Sequence, residues 1–292
     1  MNDLNSIPNA LEDAAGTFRE VCQKLDYLEN QLKKKDTLIE ELKAKESDRA
    51  SGQFKPFKAV LNSMYGISMP PISICGDSLD SLSWEVIKNI CDAGAARLFF
   101  RVGQTKTITL KNGKDILVRI IGIDHDVDKN GATCPLTWET VNLWEDHRAM
   151  NANCSNKGGW KDSNVRKWLA NGVLALFPDE LTRVICNTIK STTAGGTSDK
   201  MVDTADKLFL LSEQEVFGRQ IYSKGNEGHW YDWYRQENTP YGKKYPGGER
   251  GWRWLRSPSG SGSATFCRIN SNGNAGTSYA SNNYGVSFGF CI

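Results

Sequence analysis

Residues 252–292 read WRWLRSPSGSGSATFCRINSNGNAGTSYASNNYGVSFGFCI. They open and close on apolar, strand-like runs, and the chain between them is almost wholly Ser, Gly, Asn, Thr, Ala and Tyr. From Ser257 onward Arg268 is the only charged side chain. Lys, Glu, Gln, Met and Trp are absent there, although all five occur freely before it. Gly/Ser-rich chain ordinarily buries too little to order itself and reads as a linker or disordered tail. Here Phe266, Cys267, Ile269, Val286, Phe288, Phe290 and Ile292 punctuate the stretch, and the last four alternate as one face of a strand. Small polar residues between pinned strands describe loops presented on a scaffold. Ser, Gly, Asn and Tyr suit binding loops, because Tyr supplies rigid contact area and the others adaptable hydrogen bonds.

Residues 259–284 are therefore the candidate ligand-binding surface. Its candidate contacts are Ser259, Ser261, Ser263, Ala264, Thr265, Arg268, Asn270, Ser271, Asn274, Thr277, Ser278, Tyr279, Ser281, Asn282 and Tyr284.

The rest of the chain bounds this reading. A length of 292 residues allows one or two domains with an ample core. The balance of 36 basic to 34 acidic residues argues against an electrostatic nucleic-acid or membrane footprint. Eight cysteines are scattered without C-x-x-C spacing, which suits neither a zinc site nor a disulfide framework; Cys267 and Cys291 alone lie in flanking strands where they have the chance to meet. The N-terminus has no basic, then apolar, leader pattern, and no run of eighteen apolar residues exists. The expectation is cytoplasmic synthesis without a signal peptide and no membrane insertion.

Residues 4–42 carry a heptad. Leu4, Leu11, Phe18, Leu25, Leu32 and Ile39 stand seven apart, with Ile7, Ala14, Val21, Leu28, Lys35 and Leu42 three later. Residues 1–50 are expected to form a coiled-coil oligomerisation stalk, a trimer favoured by Leu and Phe at the first of these positions. Residues 51–76, with Met69, Pro70 and Pro71, read as a linker. The remainder, 77–292, reads as an α+β domain. Ser83 starts a helix that presents Val86, Ile87, Ile90 and Cys91 on one face and closes at Gly94. Residues 106–110 and 115–123 flank the turn Asn112, Gly113 and predict a hairpin. The segment 124–131 resembles the start of a calcium loop, but Lys129 replaces the turn glycine and Pro135 the closing glutamate, so it reads as an acidic turn without a metal.

Further on, residues 137–144 predict a strand or an extended segment, Ser163 a short helix, Pro178 a helix through 186, and 187–193 a strand ending at Gly195 and Gly196. Residues 207–211 predict a buried strand leading into a capping box, Ser212 to Glu215, with Gly218 ending the helix. The aromatics His229, Trp230, Tyr231, Trp233, Tyr234, Trp252 and Trp254 read as core.

Chemistry is sparse. Three histidines, His125, His147 and His229, sit in no metal or nucleophile pattern, and no phosphate-binding loop, dinucleotide fingerprint or other cofactor motif is present. The chain reads as non-enzymatic.

The segment from Trp84 onward resembles an uncharacterised domain family with a C-type-lectin-like fold, common in prophages of gut bacteria. The residues that carry the resemblance are K-T-I (106–108), I-G-I-D-H-D (121–126), G-G-W (158–160), D-K-L-F-L-L-S-E (206–213), W-L-R-S-P (254–258) and F-G-F-C (288–291). Many members look like variable proteins of diversity-generating retroelements, in which error-prone reverse transcription rewrites adenines at the gene's 3′ end. The typical rewritten codon ends in a pyrimidine and cannot encode Lys, Glu, Gln, Met or Trp, the five types missing here. The resemblance implies a C-type-lectin-like, formylglycine-generating-enzyme-like head behind the coiled coil. Its hypervariable residues, 259–284, would bind a host-surface or protein ligand in a phage tail fibre or bacterial adhesin, on the virion or the cell surface. The lectin calcium motifs are absent, so calcium-dependent sugar binding is not implied. The alternatives are an enzyme related to formylglycine-generating enzymes, for which Cys267 and Cys291 are the only candidate pair, and a purely structural virion protein.

Overall fold

Ser83 accepts a hydrogen bond from the Val86 N–H through its hydroxyl and so opens α1 (Trp84–Asp92), which buries Trp84, Ile87, Ile90 and Cys91. In the computed structural model the described residues are 76–292, all within one compact unit. The heptad segment and all but the last residue of the linker lie outside them. A short α2 (Ala96–Phe99) follows α1. The predicted hairpin is β1 (Thr105–Thr109) and β2 (Asp115–Val127), paired antiparallel around the Asn112, Gly113 turn.

β2 then pairs with β3 (Thr133–Thr140), and the last strand, β11 (Gly289–Cys291), returns to the far side of β3, giving a four-stranded antiparallel sheet in the order β1-β2-β3-β11. One face of this sheet is sealed by aromatics. Trp138 lies 5.4 Å from Trp84 edge-on and stacks with Phe290 at 6.2 Å, while Phe177 meets both Phe288 and Phe290 at 6.1 Å.

Between β3 and β11 run the short helices α3 (Gly159–Asp162), α4 (Asn164–Trp168, capped by Ser163) and α5 (Asp179–Val184). The hairpin β4 (Thr188–Thr193) and β5 (Met201–Asp206) comes next, then α6 (Glu213–Phe217) with its full capping box and α7 (Asp232–Arg235). The two-residue strands β6 (Lys243–Lys244) and β7 (Arg250–Gly251) precede β8 (Arg253–Pro258). Strands β9 (Thr265–Ile269) and β10 (Ala275–Tyr279) complete a second antiparallel sheet, ordered β10-β9-β8. The domain is thus mixed α and β, dominated by β sheet with few short helices.

Four expectations are corrected. Residues 207–211 are not a strand. Leu208, Phe209, Leu210 and Leu211 cross the core fully buried, and their backbone bonding is isolated: Phe209 exchanges a pair with Gly289, and the Leu211 carbonyl accepts from the Arg256 N–H. A short apolar run cannot be told from any other buried segment by periodicity. The strand lies just upstream, in β5, whose polar sequence hid it. Second, the acidic turn expected over 124–131 is confined to 128–131, where the Asp128 carboxylate accepts from the N–H groups of Asn130 and Ala132. β2 runs through Val127, and a register shift between Ile123 and Asp126, with Asp124 at φ 53°, re-aims the strand and turns Asp126 inward. Third, residues 285–292 are buried on both faces, not on one. Fourth, the aromatic group divides. Tyr231, Tyr234 and Trp254 are core, but His229 and Trp252 are exposed and Trp230 and Trp233 half-buried.

Candidate functional site

β8 fastens the candidate surface to the core through two arginines. Arg253 donates to Glu139 at 3.1 Å and to the Tyr234 hydroxyl at 3.0 Å. Arg256 grips Glu215 with both terminal nitrogens and also donates to the carbonyls of Leu210 (3.0 Å) and Glu227 (2.6 Å). Glu215 in turn takes a contact of 3.1 Å from Lys190, whose ammonium also reaches Asp126 at 2.5 Å and the Tyr231 hydroxyl at 2.8 Å. Every member of this chain of charges is buried. Burial opposes ionisation of Asp126, yet the Lys190 ammonium and its hydrogen bonds hold the carboxyl well below its usual range.

Glu227, beside Arg256, is different. Burial pushes its carboxyl up to about 8 against the pull of Ser257 and Arg256, and its Oε2 has no partner, as suits a protonated group. Glu213 is the rigid corner, where one carboxylate oxygen accepts from the backbone N–H groups of Ile221, Tyr222 and Ser223 at 2.8 Å.

Out of this anchor rises the β9–β10 hairpin, so within the stretch expected as loops residues 265–269 and 275–279 are strand, and 259–264, 270–274 and 280–284 remain turns and loops. Arg268 in β9 stacks its guanidinium over Trp252, 3.9 Å from the ring centroid, and its Nε donates to the Ser278 hydroxyl at 3.3 Å. Tyr284 lies 5.2 Å from Trp252 and 4.9 Å from Trp254, and accepts from the Asn282 amide at 3.2 Å. The result is an aromatic and cationic shelf of Trp252, Arg268 and Tyr284. Tyr279, 57% exposed, ends β10. At the opposite end of the hairpin Asn270 folds the turn, its side-chain oxygen accepting from the N–H groups of Asn272 and Asn274 at 2.9 Å.

Of the predicted contacts, Ser261, Ser263, Asn274 and Tyr279 are exposed. Ala264, Thr265, Arg268, Asn270, Ser271, Thr277, Ser278, Ser281, Asn282 and Tyr284 are partly accessible. Ser259 is the exception at 3% exposure: it lies under the surface, its N–H bonded to the Thr265 carbonyl. The positions do not converge on one spot, because the Asn270, Ser271, Asn274 turn is a five-residue strand away from Ser263 and Tyr279, about 17 Å at about 3.4 Å per residue.

Sequence reasoning missed two features. Trp252 was placed in the core but is 37% exposed and forms the floor of the shelf. A basin of about 830 Å3 also opens between residues 151–158 and the Gly195, Gly196 turn, and the N–H groups of Asn151 and Asn156 join its wall to the carbonyls of Ala280 and Ser263. Asn156 ties it to the hairpin by donating to the carbonyls of Gly262 (2.7 Å) and Thr265 (2.8 Å). A Cβ on Gly195, which stands at φ 67°, would fall 1.8 Å from the Asn156 carbonyl oxygen, so glycine is required there. The paired glycines at 158–159 and 195–196 were the available signal.

The two candidate cysteines have separate surroundings. Buried Cys267 faces Glu213 and Glu227, and burial holds its thiol well above the ordinary value. Cys291 lies 3.4 Å from the Thr137 hydroxyl and 3.6 Å from Asp126. Among the described residues no group of His, Cys, Asp and Glu is placed to hold a metal ion, and no helix is long and apolar enough to cross a membrane.

Fold and surface together define a mixed α/β domain that displays a polar hairpin on a core crossed by buried ion pairs. A domain family of unknown function, DUF6273, matches residues 128–292, more than half of the chain, and the chain belongs to that family. The match begins one residue beyond β2, whereas β1 and β2 supply half of the four-stranded sheet. No curated protein and no solved structure matches the chain.

Proposed function

We propose that this chain is a ligand- or receptor-binding protein whose binding surface is the β9–β10 hairpin with the following 280–284 segment. The observation that carries this is how positions divide within residues 257–292. Polar side chains of the hairpin and its flanks, Ser261, Ser263, Asn274 and Tyr279 foremost, reach solvent, whereas Phe266, Ile269, Val286, Phe288, Phe290 and Ile292 are all buried. Exchange of the first set leaves the second, and the arginine anchors of β8, untouched. Such a division is what a diversity-generating retroelement variable protein requires.

The proposal extends to a C-type-lectin-like fold for the head, which rests on the sequence resemblance of residues 84–292. The heptads of residues 1–50 support a multimeric stalk, which would strengthen weak single-site binding through effective concentration. Use as a phage tail fibre or bacterial adhesin fits this design. The test has two arms. Flanking DNA holding a near-copy of the gene's 3′ end that differs at adenines, beside a reverse-transcriptase gene, establishes diversification; its absence removes that part of the proposal. Binding of the full chain to a panel of intact bacterial cells, lost in Tyr279→Ala and Tyr284→Ala but kept in Lys88→Ala, establishes the surface. Equal binding by all three variants places the site elsewhere.

A further inference from the structure

Arg119 projects from β2 beside Glu139 of β3, its cross-strand partner, yet the two form no ion pair. The reason is that Glu139 is already saturated. One oxygen accepts from Arg253 (3.1 Å) and the Ser287 hydroxyl (3.0 Å), the other from Lys243 (3.0 Å) and the Tyr234 hydroxyl (2.6 Å). A carboxylate with its lone pairs so filled has nothing left for a third cation. The Arg119 guanidinium instead lies over Trp233, 4.1 Å from the ring centroid, and its Nε is buried with no hydrogen-bond partner. Alongside, Lys244 and Arg250 stand directly opposite each other in the β6–β7 register, and among the described residues neither charged head is paired with a carboxylate. Like charges in that position repel.

These groups line one cavity of about 320 Å3, walled by Trp233 and Tyr241 and containing Arg119, Lys243, Lys244 and Arg250 but no acidic residue. Lys243 is already held by Glu139, but Arg119, Lys244 and Arg250 line the cavity with no carboxylate partner among the described residues, and a guanidinium with an unmet buried donor is completed by a negatively charged guest. Its volume lies in the range of sites for small molecules and has room for a sugar-sized body.

We propose that this cavity is a binding site for a small anionic ligand, a carboxylate or sulfate ester carried on a sugar-sized body, with Arg119 as its principal hydrogen-bond donor. Lys244 and Arg250 supply charge at the mouth. Lys243 adds a proton-linked signature. Burial lowers its ammonium to about 7 against the pull of Glu139, with Arg253 and Arg119 adding repulsion. A bound anion reverses that balance, so binding near neutral pH takes up a proton. The wall of the cavity touches the β9–β10 turn, since Asn272 lies on its rim and a Cβ on Gly242 would sit 2.8 Å from the Ser271 carbonyl oxygen. The site nevertheless consists of its own residues and does not depend on the hairpin being exchangeable.

Isothermal titration of the full chain with glucuronate, N-acetylglucosamine 6-sulfate, inorganic sulfate and, as the neutral control, glucose tests the assignment. The expected result is binding of at least one of the anions, weakened by salt, without binding of glucose, and with heat that varies between buffers as proton uptake demands. Glucuronate alone identifies a carboxylate site, the sugar sulfate alone a sulfate-ester site, and inorganic sulfate as well a site for the anion itself. Arg119→Gln is expected to weaken binding about tenfold or more, as loss of a charge-assisted hydrogen bond does. The exposed double variant Lys244→Ala/Arg250→Ala weakens it several-fold and decides the matter should Arg119→Gln fail to fold. Binding of glucose equal to glucuronate, binding of no anion, or affinity unchanged in the variants overturns the proposal.

Discussion

Arg256 and Glu215 meet as a two-pronged ion pair between β8 and α6, with neither side chain exposed. The same carboxylate closes the capping box by accepting from the Ser212 N–H at 2.9 Å, so one glutamate fixes both the helix start and the strand that bears the candidate surface. Arg256→Ala takes the two-pronged donor from Glu215, which keeps only Lys190 and the Ser212 N–H, and leaves the Leu210 and Glu227 carbonyls without the Arg256 donor. Removing one partner of a buried pair costs about 3–5 kcal/mol. Chemical denaturation of the full chain is expected to show a loss of that size. Arg256→Lys is expected to recover only part of it, because a point charge cannot make both contacts. A loss under about 1 kcal/mol in Arg256→Ala would show that the pair is not an anchor.

The hairpin separates substitutions by what their side chains hold. Ser261, Ser263, Asn274 and Tyr279 support little beyond themselves, and changes there are expected to shift stability by less than about 0.5 kcal/mol. Phe266→Ala and Phe288→Ala are expected to cost about 3–5 kcal/mol. Asn270 falls between, since its two turn hydrogen bonds make Asn270→Ala a loss of about 1 kcal/mol that Asn270→Asp restores. Thermal melts of this series check the ranking, and a large loss at Ser261 or Ser263 would place those residues in the core.

How much of this was legible beforehand follows from the range of the interactions. The Ser83 cap, the Asn112, Gly113 hairpin, the Ser212 to Glu215 capping box and the burial of Phe288 and Phe290 are encoded within a few residues, and the sequence displayed them. The second strand of the β4–β5 hairpin was not visible because its pattern is polar, and the apolar run 207–211 drew the prediction instead. Arg253 and Arg256 were read as part of an apolar strand, with no sign that both would be buried. Their partners Glu139 and Glu215 lie far off in sequence, and a buried charge is indistinguishable from a surface one until its partner is known. The cationic cavity was invisible for the same reason, as β2, α7 and the β6–β7 pair each contribute a fragment.

Two thiols supply a third prediction. A hydrogen bond with Cys134 draws the half-buried Cys186 down to about 7, whereas burial lifts Cys91 to about 12 and raises Cys267 as well. Thiolate, not thiol, reacts with alkylating agents. Among the described cysteines, exposed Cys154 and then Cys186 are expected to label in the native protein, Cys186 with a rate that rises through about pH 7. Cys91 and Cys267 are expected to stay silent until unfolding. Cys134→Ala, which removes the donor, should carry the Cys186 transition to higher pH. Peptide mapping after timed alkylation reads all of this, and a fast-labelling Cys267 would contradict it.

Glu227 gives stability a pH dependence of definite sign. Its carboxyl titrates at about 8 when folded and near its ordinary 4.5 when unfolded, so between those values the folded chain holds a proton that the unfolded chain has released. Stability from this group is therefore whole below about pH 4.5 and is lost as pH rises towards 8, by at most about 1.4 kcal/mol per pH unit. The groups around it are Arg256, Ser257, Glu213 and the Thr193 N–H, and of these only Glu213 shares its sign of charge. Glu227→Gln keeps the shape and the donor but has no proton to lose. Denaturation midpoints measured from pH 5 to 8 are expected to decline in the parent chain and to decline less in the variant. Parallel slopes would mean that Glu227 is ionised in the folded protein and that Arg256 shares its charge between two carboxylates.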